Sequence, residues 1–479
     1  MEIYRGLRDA VRTSRPTAAL AASVLLLLTA ACTGGGGPGQ AAPTTLPGQD
    51  EIRHSPNITV IANVPLTAPF DGPEDWGTDM AFQGRYAFVG NYRGFTVHDI
   101  GDPAHPKVVA RVVCPGGQND ISVSGDLLFL SVDQARTDDT CESEAGDRLA
   151  ADEWEGIRVF DISDKAHPRY LKAVRTECGS HTHTIVPGRD ARTLYLYVSS
   201  PGPEPGSVNC PPPHQNISIV KVPVDDPGKA RVVATPELFA TREPGSADDG
   251  ADDGADDDLA GGCHDITAYP EKGLAAGACF GDGVLLDISD PVRPKVLQTV
   301  RDEANFSIWH SATFDNAGTK VVFSDEMGGG AAPTCLPSVS PTRGADAVYT
   351  LTPDRRLVRR GYFKIPRMQG AKENCVAHNG ALVPVPGRDV MVQAWYMGGV
   401  SVWDFTDAAR PREIAYFERG PLAPELQLGG SWSAYYYNGY IYSSDITKGL
   451  DVLRLDDPLT DPAKKVRLTE LNAQSQRSY

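Results

Sequence analysis

Gly156-Ile157-Arg158-Val159-Phe160-Asp161-Ile162, followed by Ser163-Asp164-Lys165-Ala166-His167-Pro168, is the clearest copy of a stretch that recurs along the chain. A glycine opens it, apolar and polar residues alternate, and an aspartate with a proline-containing turn closes it. Alternation of period two marks a half-buried β-strand, and Asp/Pro punctuation marks a reversal into the next strand. Further copies lie at 94–100, 216–222, 283–288, 347–351, 399–405 and 449–455. Asp99-Ile100-Gly101-Asp102, Asp287-Ile288-Ser289-Asp290 and Asp404-Phe405-Thr406-Asp407 repeat the fuller ending, each with a proline soon after.

Two apolar segments precede each copy and one follows it. Around the fourth copy they run 264–269, 274–280, 283–288 and 295–300, the pattern of a four-stranded antiparallel meander and the unit of a β-propeller blade. Helix-period segments with caps are nearly absent, so the chain reads as all-β. One register position stands six residues before a turn residue in every unit: Thr78, Asn119, His181, His264, His310, His378 and Trp432. Seven such positions imply a seven-bladed β-propeller of four-stranded antiparallel blades over residues 57–458, with 459–479 as a C-terminal tail. Segment 57–66 has the pattern of an outer strand and is expected to complete the last blade, hiding two sheet edges; the alternative is 465–471.

The stretch Gly399-Val400-Ser401-Val402-Trp403-Asp404 and its siblings resemble the LVIVD repeat of exported propellers, of the bacterial surface lipoprotein type, over roughly residues 76–455. The resemblance implies the architecture. The family has no uniform activity, so it implies no reaction.

Arg5, Arg8, Arg12 and Arg15 precede an apolar run at 18–28 that is too short to span a bilayer. Residues 1–31 read as a lipoprotein signal peptide. Leu28-Thr29-Ala30-Ala31-Cys32 resembles a lipobox, with Cys32 the lipidation site, and 32–56 reads as a flexible tether. The expected location is the outer face of the cell membrane, held by the lipid anchor only; the alternative is a plainly secreted protein.

Nine cysteines less Cys32 leave an even number, as suits an oxidising compartment. Cys263 and Cys279 are equidistant from the turn near Glu271 and are expected to pair across that hairpin. Loop location pairs Cys114 with Cys141, Cys178 with Cys210 and Cys335 with Cys375. The insertions 133–155, 201–215 and 327–346 would then form a disulfide-pinned crown over one mouth of the channel.

A net charge of −17 argues against nucleic acid and anionic membrane surfaces as partners. The Asp-rich insertion 245–262 reads as a solvated segment, with calcium as the ligand its carboxylates could recruit. The chain is expected to act as a monomer.

His181, His264, His310 and His378 share one register in four consecutive units, at the start of the innermost strand. Their imidazoles would converge at the channel mouth, where an all-nitrogen donor set suits iron, copper or zinc. Asp120, Asp265 and His183 are the outer-shell candidates. The competing readings are a repeated structural hydrogen bond in each blade and a metal-free polar binding site.

Nucleophile elbows, phosphate loops, dinucleotide fingerprints and Cys-x-x-Cys pairs are absent, and no catalytic residue is assigned. Two functions remain. One is binding of a small ligand or an extracellular protein through the crown. The other is a metal-dependent extracellular enzyme, an oxidoreductase or a lyase, built on the four histidines.

Overall fold

The computed structural model describes residues 45–190, 192–200, 202–238 and 262–479. The signal peptide, Cys32 and the Asp-rich insertion up to residue 261 lie outside the described residues. Among the described residues the regular elements are β-strands and short 3₁₀ turns, and no helix is long and apolar enough to cross a membrane.

The repeated stretch forms the third strand of successive four-stranded meanders: Gly94–Asp99, Trp154–Asp161, Ser218–Pro223, Asp282–Asp287, Asp346–Leu351, Val400–Asp404 and Gly449–Leu455. Around the fourth copy the strands are Asp265–Tyr269, Leu274–Cys279, Asp282–Asp287 and Lys295–Val300, each antiparallel to the next. The recurrent aspartates have a local cause. Asp99, Asp161, Asp287 and Asp404 each accept the backbone N–H two residues on, at 2.8–2.9 Å. Asp102, Asp164, Asp290 and Asp407 do the same one turn later. Such Asx turns reverse the chain into the fourth strand.

Trp154–Asp161 departs from the half-buried expectation, because all but its last residue are buried. Each meander is packed between two neighbours, so both faces of its inner strands are covered. Arg158, a polar position of the alternation, is fully buried and donates to the carbonyls of Pro115 at 2.7 Å and Thr140 at 2.8 Å.

Hydrophobic clusters fill the junctions between successive meanders. Phe88, Phe95 and Val97 pack with Leu128, Leu130 and Phe160. Further along, Tyr269, Leu274 and Leu285 pack with Phe314, Phe323 and Tyr349. The last meander packs back on the first through Met80, Phe82 and Val89 against Tyr435, Tyr437 and Tyr442.

Ile58–Val64 pairs antiparallel with Gly449–Leu455, so the outer strand of the last meander comes from the N-terminal side. Residues 465–471 do not take that place. Instead Glu470–Asn472 pairs with Gly77–Gln83, the innermost strand of the first meander. The tether reading also needs correcting at its end, because Ile52–His54 pairs with the outer edge of Arg412–Arg419. In both cases a sheet edge with unpaired backbone groups recruits a neighbouring segment.

The tail reading of 459–479 needs the same correction. Asn472 bridges the N–H and C=O of Val123 with its amide, and Gln476 does the same to Phe314. Ser475 donates to Ile185, and Ala268 exchanges backbone bonds with Gln474 and Gln476. The segment thus crosses the channel-side edges of successive innermost strands and satisfies groups that the sheets leave unpaired.

Candidate metal centre

Disulfides join Cys114 to Cys141, Cys178 to Cys210, Cys263 to Cys279 and Cys335 to Cys375. They tie the loops that lead into the innermost strands to the loops between second and third strands. Four disulfides fit an extracellular or periplasmic location.

At that end the four aligned histidines come together. His264 lies 4.2 Å from His181 and 3.9 Å from His310 by ring centroids, and His310 lies 4.3 Å from His378. All four are buried. Their convergence follows from register, since each stands where a neighbouring meander delivers its innermost strand to the axis.

Three rings are anchored from outside through Nδ1. That of His181 meets Asp133 Oδ2 at 2.8 Å, that of His264 meets Asp265 Oδ1 at 3.0 Å, and that of His378 meets the Trp432 carbonyl at 2.5 Å. Nδ1 of His310 has no hydrogen-bond partner among the described residues. The Nε2 atoms of His181 and His264 face each other at 2.8 Å.

Glu326 completes the group. Its Oε2 lies 3.9 Å from His310 Nε2, and its Oε1 lies 3.6 Å from His378 Nε2. His310, Glu326 and His378 form one set of donor atoms within 4.8 Å of one another, and His264, Asp265 and His310 form a second. Tyr396 donates its hydroxyl to Glu326 Oε1 at 2.5 Å. Its φ of 51° lies in the left-handed region, unusual for a bulky residue and a strain of about 1–3 kcal/mol. The backbone bonds that Tyr396 exchanges with Ser431 hold it there.

Burial sets the charge states. Desolvation takes His264 and His310 well below the ordinary imidazole value, and His378 to about 3. For His181 burial acts in the same direction, but the Asp133 carboxylate outweighs it and holds the ring above its ordinary value. Desolvation raises Glu326 to about 7 and Asp265 to about 6. Burial therefore favours the neutral rings of His264, His310 and His378, while the Asp133 carboxylate favours the protonated form of His181.

Of the outer-shell candidates, Asp265 reaches an aligned histidine. Asp120 and His183 turn to each other instead, at 3.2 Å, and Ser122 and Ser131 satisfy the His183 ring. Those hydroxyls lie on the first two strands of the preceding meander, which makes His183 part of the polar packing between meanders. Asp79, in the same register as Asp120 and Asp265, accepts from Tyr435 at 2.5 Å.

Asp133, Glu326 and Tyr396 were not singled out by the sequence pattern. They share a signal that could have found them: Asp133 lies in the later half of the second strand Leu127–Arg136, Glu326 and Tyr396 stand just past the ends of theirs, and antiparallel pairing returns those ends to the mouth where the innermost strand begins.

Residues 77–113 and 150–176 match the family model described as LVIVD repeat. The chain carries LVIVD repeats. The first match spans a complete meander, from Gly77–Gln83 to Lys107–Val113, and the second covers the clearest sequence copy. The fold of this LVIVD-repeat chain is a β-propeller. Hydrazine synthase of Kuenenia stuttgartiensis is 13% identical over 82% of this chain and 98% of that one, with a TM-score of 0.50. A periplasmic gluconolactonase of Pseudomonas aeruginosa is 10% identical over 78% and 99%, also at 0.50. The β-propeller domain of Cps50 (Swd1) from Myceliophteria thermophila is 9% identical over 83% and 99%, at 0.46. These likenesses concern the fold alone. No curated protein sequence matches the chain.

Proposed function

We propose that this is an exported, seven-bladed LVIVD propeller that binds one transition-metal ion, iron, copper or zinc, in its four-histidine centre and acts as a metal-dependent enzyme, an oxidoreductase or a lyase. The observation that carries this reading is the facing pair of Nε2 atoms on His181 and His264, 2.8 Å apart. Both rings meet a carboxylate through Nδ1, Asp133 or Asp265, which leaves the two Nε2 positions facing each other. Two nitrogens 2.8 Å apart need either a proton or a metal ion between them, and the metal reading takes the second.

Tetrahedral zinc–imidazole geometry, with bonds of about 2.0–2.1 Å, places neighbouring nitrogens about 3.3 Å apart. A shift of a few tenths of an ångström would therefore exchange proton for metal. Glu326, held by Tyr396, stands as a further ligand or as the proton acceptor for a reaction at the ion. The seven-bladed count rests on the third-strand copies and on the cluster that packs the last meander against the first. Residues 1–31 and Cys32 supply export and a lipid anchor in this reading, and the crown is the surface where a substrate or extracellular partner would arrive.

Protons test the assignment directly. Ligation needs neutral imidazole, and three of the four rings are neutral already. His181, held above its ordinary value, is the ring with a proton to give up. Zinc binding should displace the proton that Asp133 holds on His181 and, where Glu326 ligates, up to one more from its carboxyl, so affinity should rise with pH across the range in which these groups titrate. Calorimetry in buffers of different ionisation enthalpy reads the number released. Release of three or four protons would contradict the geometry, and no binding at all would leave the centre to its proton.

A further inference from the structure

Beside the histidines lies a cavity of about 10 Å³, bordered by His264, His310 and His378 on one side and by Thr78, Asp120 and Asn379 on another. That volume accommodates a single water molecule. Thr78, Asp120 and Asn379 are 1%, 4% and 7% exposed, and one polar atom of each has no hydrogen-bond partner: Thr78 Oγ1, Asp120 Oδ1 and Asn379 Oδ1. Their other contacts fix how they are presented. Asp120 Oδ2 takes the His183 backbone N–H, which leaves Oδ1 over. Asn379 directs Nδ2 toward Asp79 Oδ2 at 3.5 Å, which leaves its Oδ1 as the acceptor.

We propose that the centre carries a metal-bound water or hydroxide in this cavity, its O–H groups donating to Asp120 Oδ1 and Asn379 Oδ1 and its lone pair directed at the ion on the histidine side. This rests on the metal reading and gives the ion one open position with the size of its occupant. The polarity of the lining decides the orientation. Asn379 Oδ1 can be met only by an O–H, and Asp120 Oδ1 likewise once a cation at the histidines ionises this buried carboxyl, which desolvation otherwise raises well above its ordinary value, so the water's oxygen faces the imidazoles.

The bound oxygen is then the reactive atom or the place a substrate oxygen takes over. Substrates larger than a few atoms would react from the crown side without entering the cavity. Thr78, Asp120 and Asn379 are positioning residues for that oxygen.

The test uses the full chain loaded with copper(II), in water enriched in oxygen-17. Metal content is measured first, which separates this proposal from the one it rests on. Electron–nuclear double resonance of the wild type should show an oxygen-17 coupling from a directly bound oxygen. Cyanide should abolish it, while imidazole, too large for the cavity, should leave it unchanged. Asn379→Leu and Thr78→Val should keep their copper and lose or markedly weaken the coupling. One copper bound without any oxygen-17 coupling would overturn the proposal. So would imidazole displacing the oxygen as readily as cyanide, or a coupling unchanged in both variants. Absence of bound copper would overturn this proposal together with the metal reading.

Discussion

Removal of residues 1–66 is expected to leave the propeller unable to fold stably, so that the truncated chain aggregates. Ile58–Val64 contributes the outer strand of the last meander through paired positions running from Ile58 with Leu455 to Val64 with Leu450. Six paired positions at about 0.5–1.5 kcal/mol per net hydrogen bond come to roughly 3–9 kcal/mol, comparable to the whole stability of many domains. Ile58 adds a buried side chain in the cluster with Val400, Phe417 and Leu455. The deletion also strips Ile52–His54 from the edge of Arg412–Arg419, so two edges open at once. Thermal unfolding and size-exclusion chromatography of the truncated chain check this. An unchanged midpoint with a monomeric profile would contradict the role given to the strand.

His264→Ala is the second variant with a large expected effect. His264 lies between His181 and His310 and contributes to the 2.8 Å nitrogen pair. Its loss should lower metal affinity by at least tenfold while the sheets persist, because the bond from Thr182 Oγ1 goes to the His264 backbone carbonyl and survives. A stability cost of about 1–3 kcal/mol is expected from the Asp265 carboxylate left without its imidazole. His183→Ala is the informative contrast. That ring is more deeply buried and bonds two serines, so its removal should cost stability and leave metal content unchanged. If both variants lose stability alike and neither changes metal content, the aligned histidines are structural.

Much of this was legible because it repeats. The Asx-turn aspartates, the alternating third strands and the six-residue register are local patterns, and each recurs often enough to be aligned within one chain. The same register made His181, His264, His310 and His378 visible as a group. Asp133, Glu326 and Tyr396 escaped because each occurs in a single meander, on a strand end that joins the centre only once the hairpins close. The path of Glu470–Asn472 and the residues after it was illegible for a related reason. Its polar side chains complement the backbone edges of strands hundreds of residues away, and no periodicity marks such a partner. The burial of Arg158 was hidden too, since alternation reports which residues share a face and not whether both faces are covered.

The central claim is that the four imidazoles hold an ion, and elemental analysis of the full chain, exported and purified without a histidine tag, tests it most directly. The account predicts one equivalent of iron, copper or zinc per chain, retained through dialysis at neutral pH and restored after removal by a chelator. A chain that carries no metal above background, and binds none of the three when they are supplied, would contradict it.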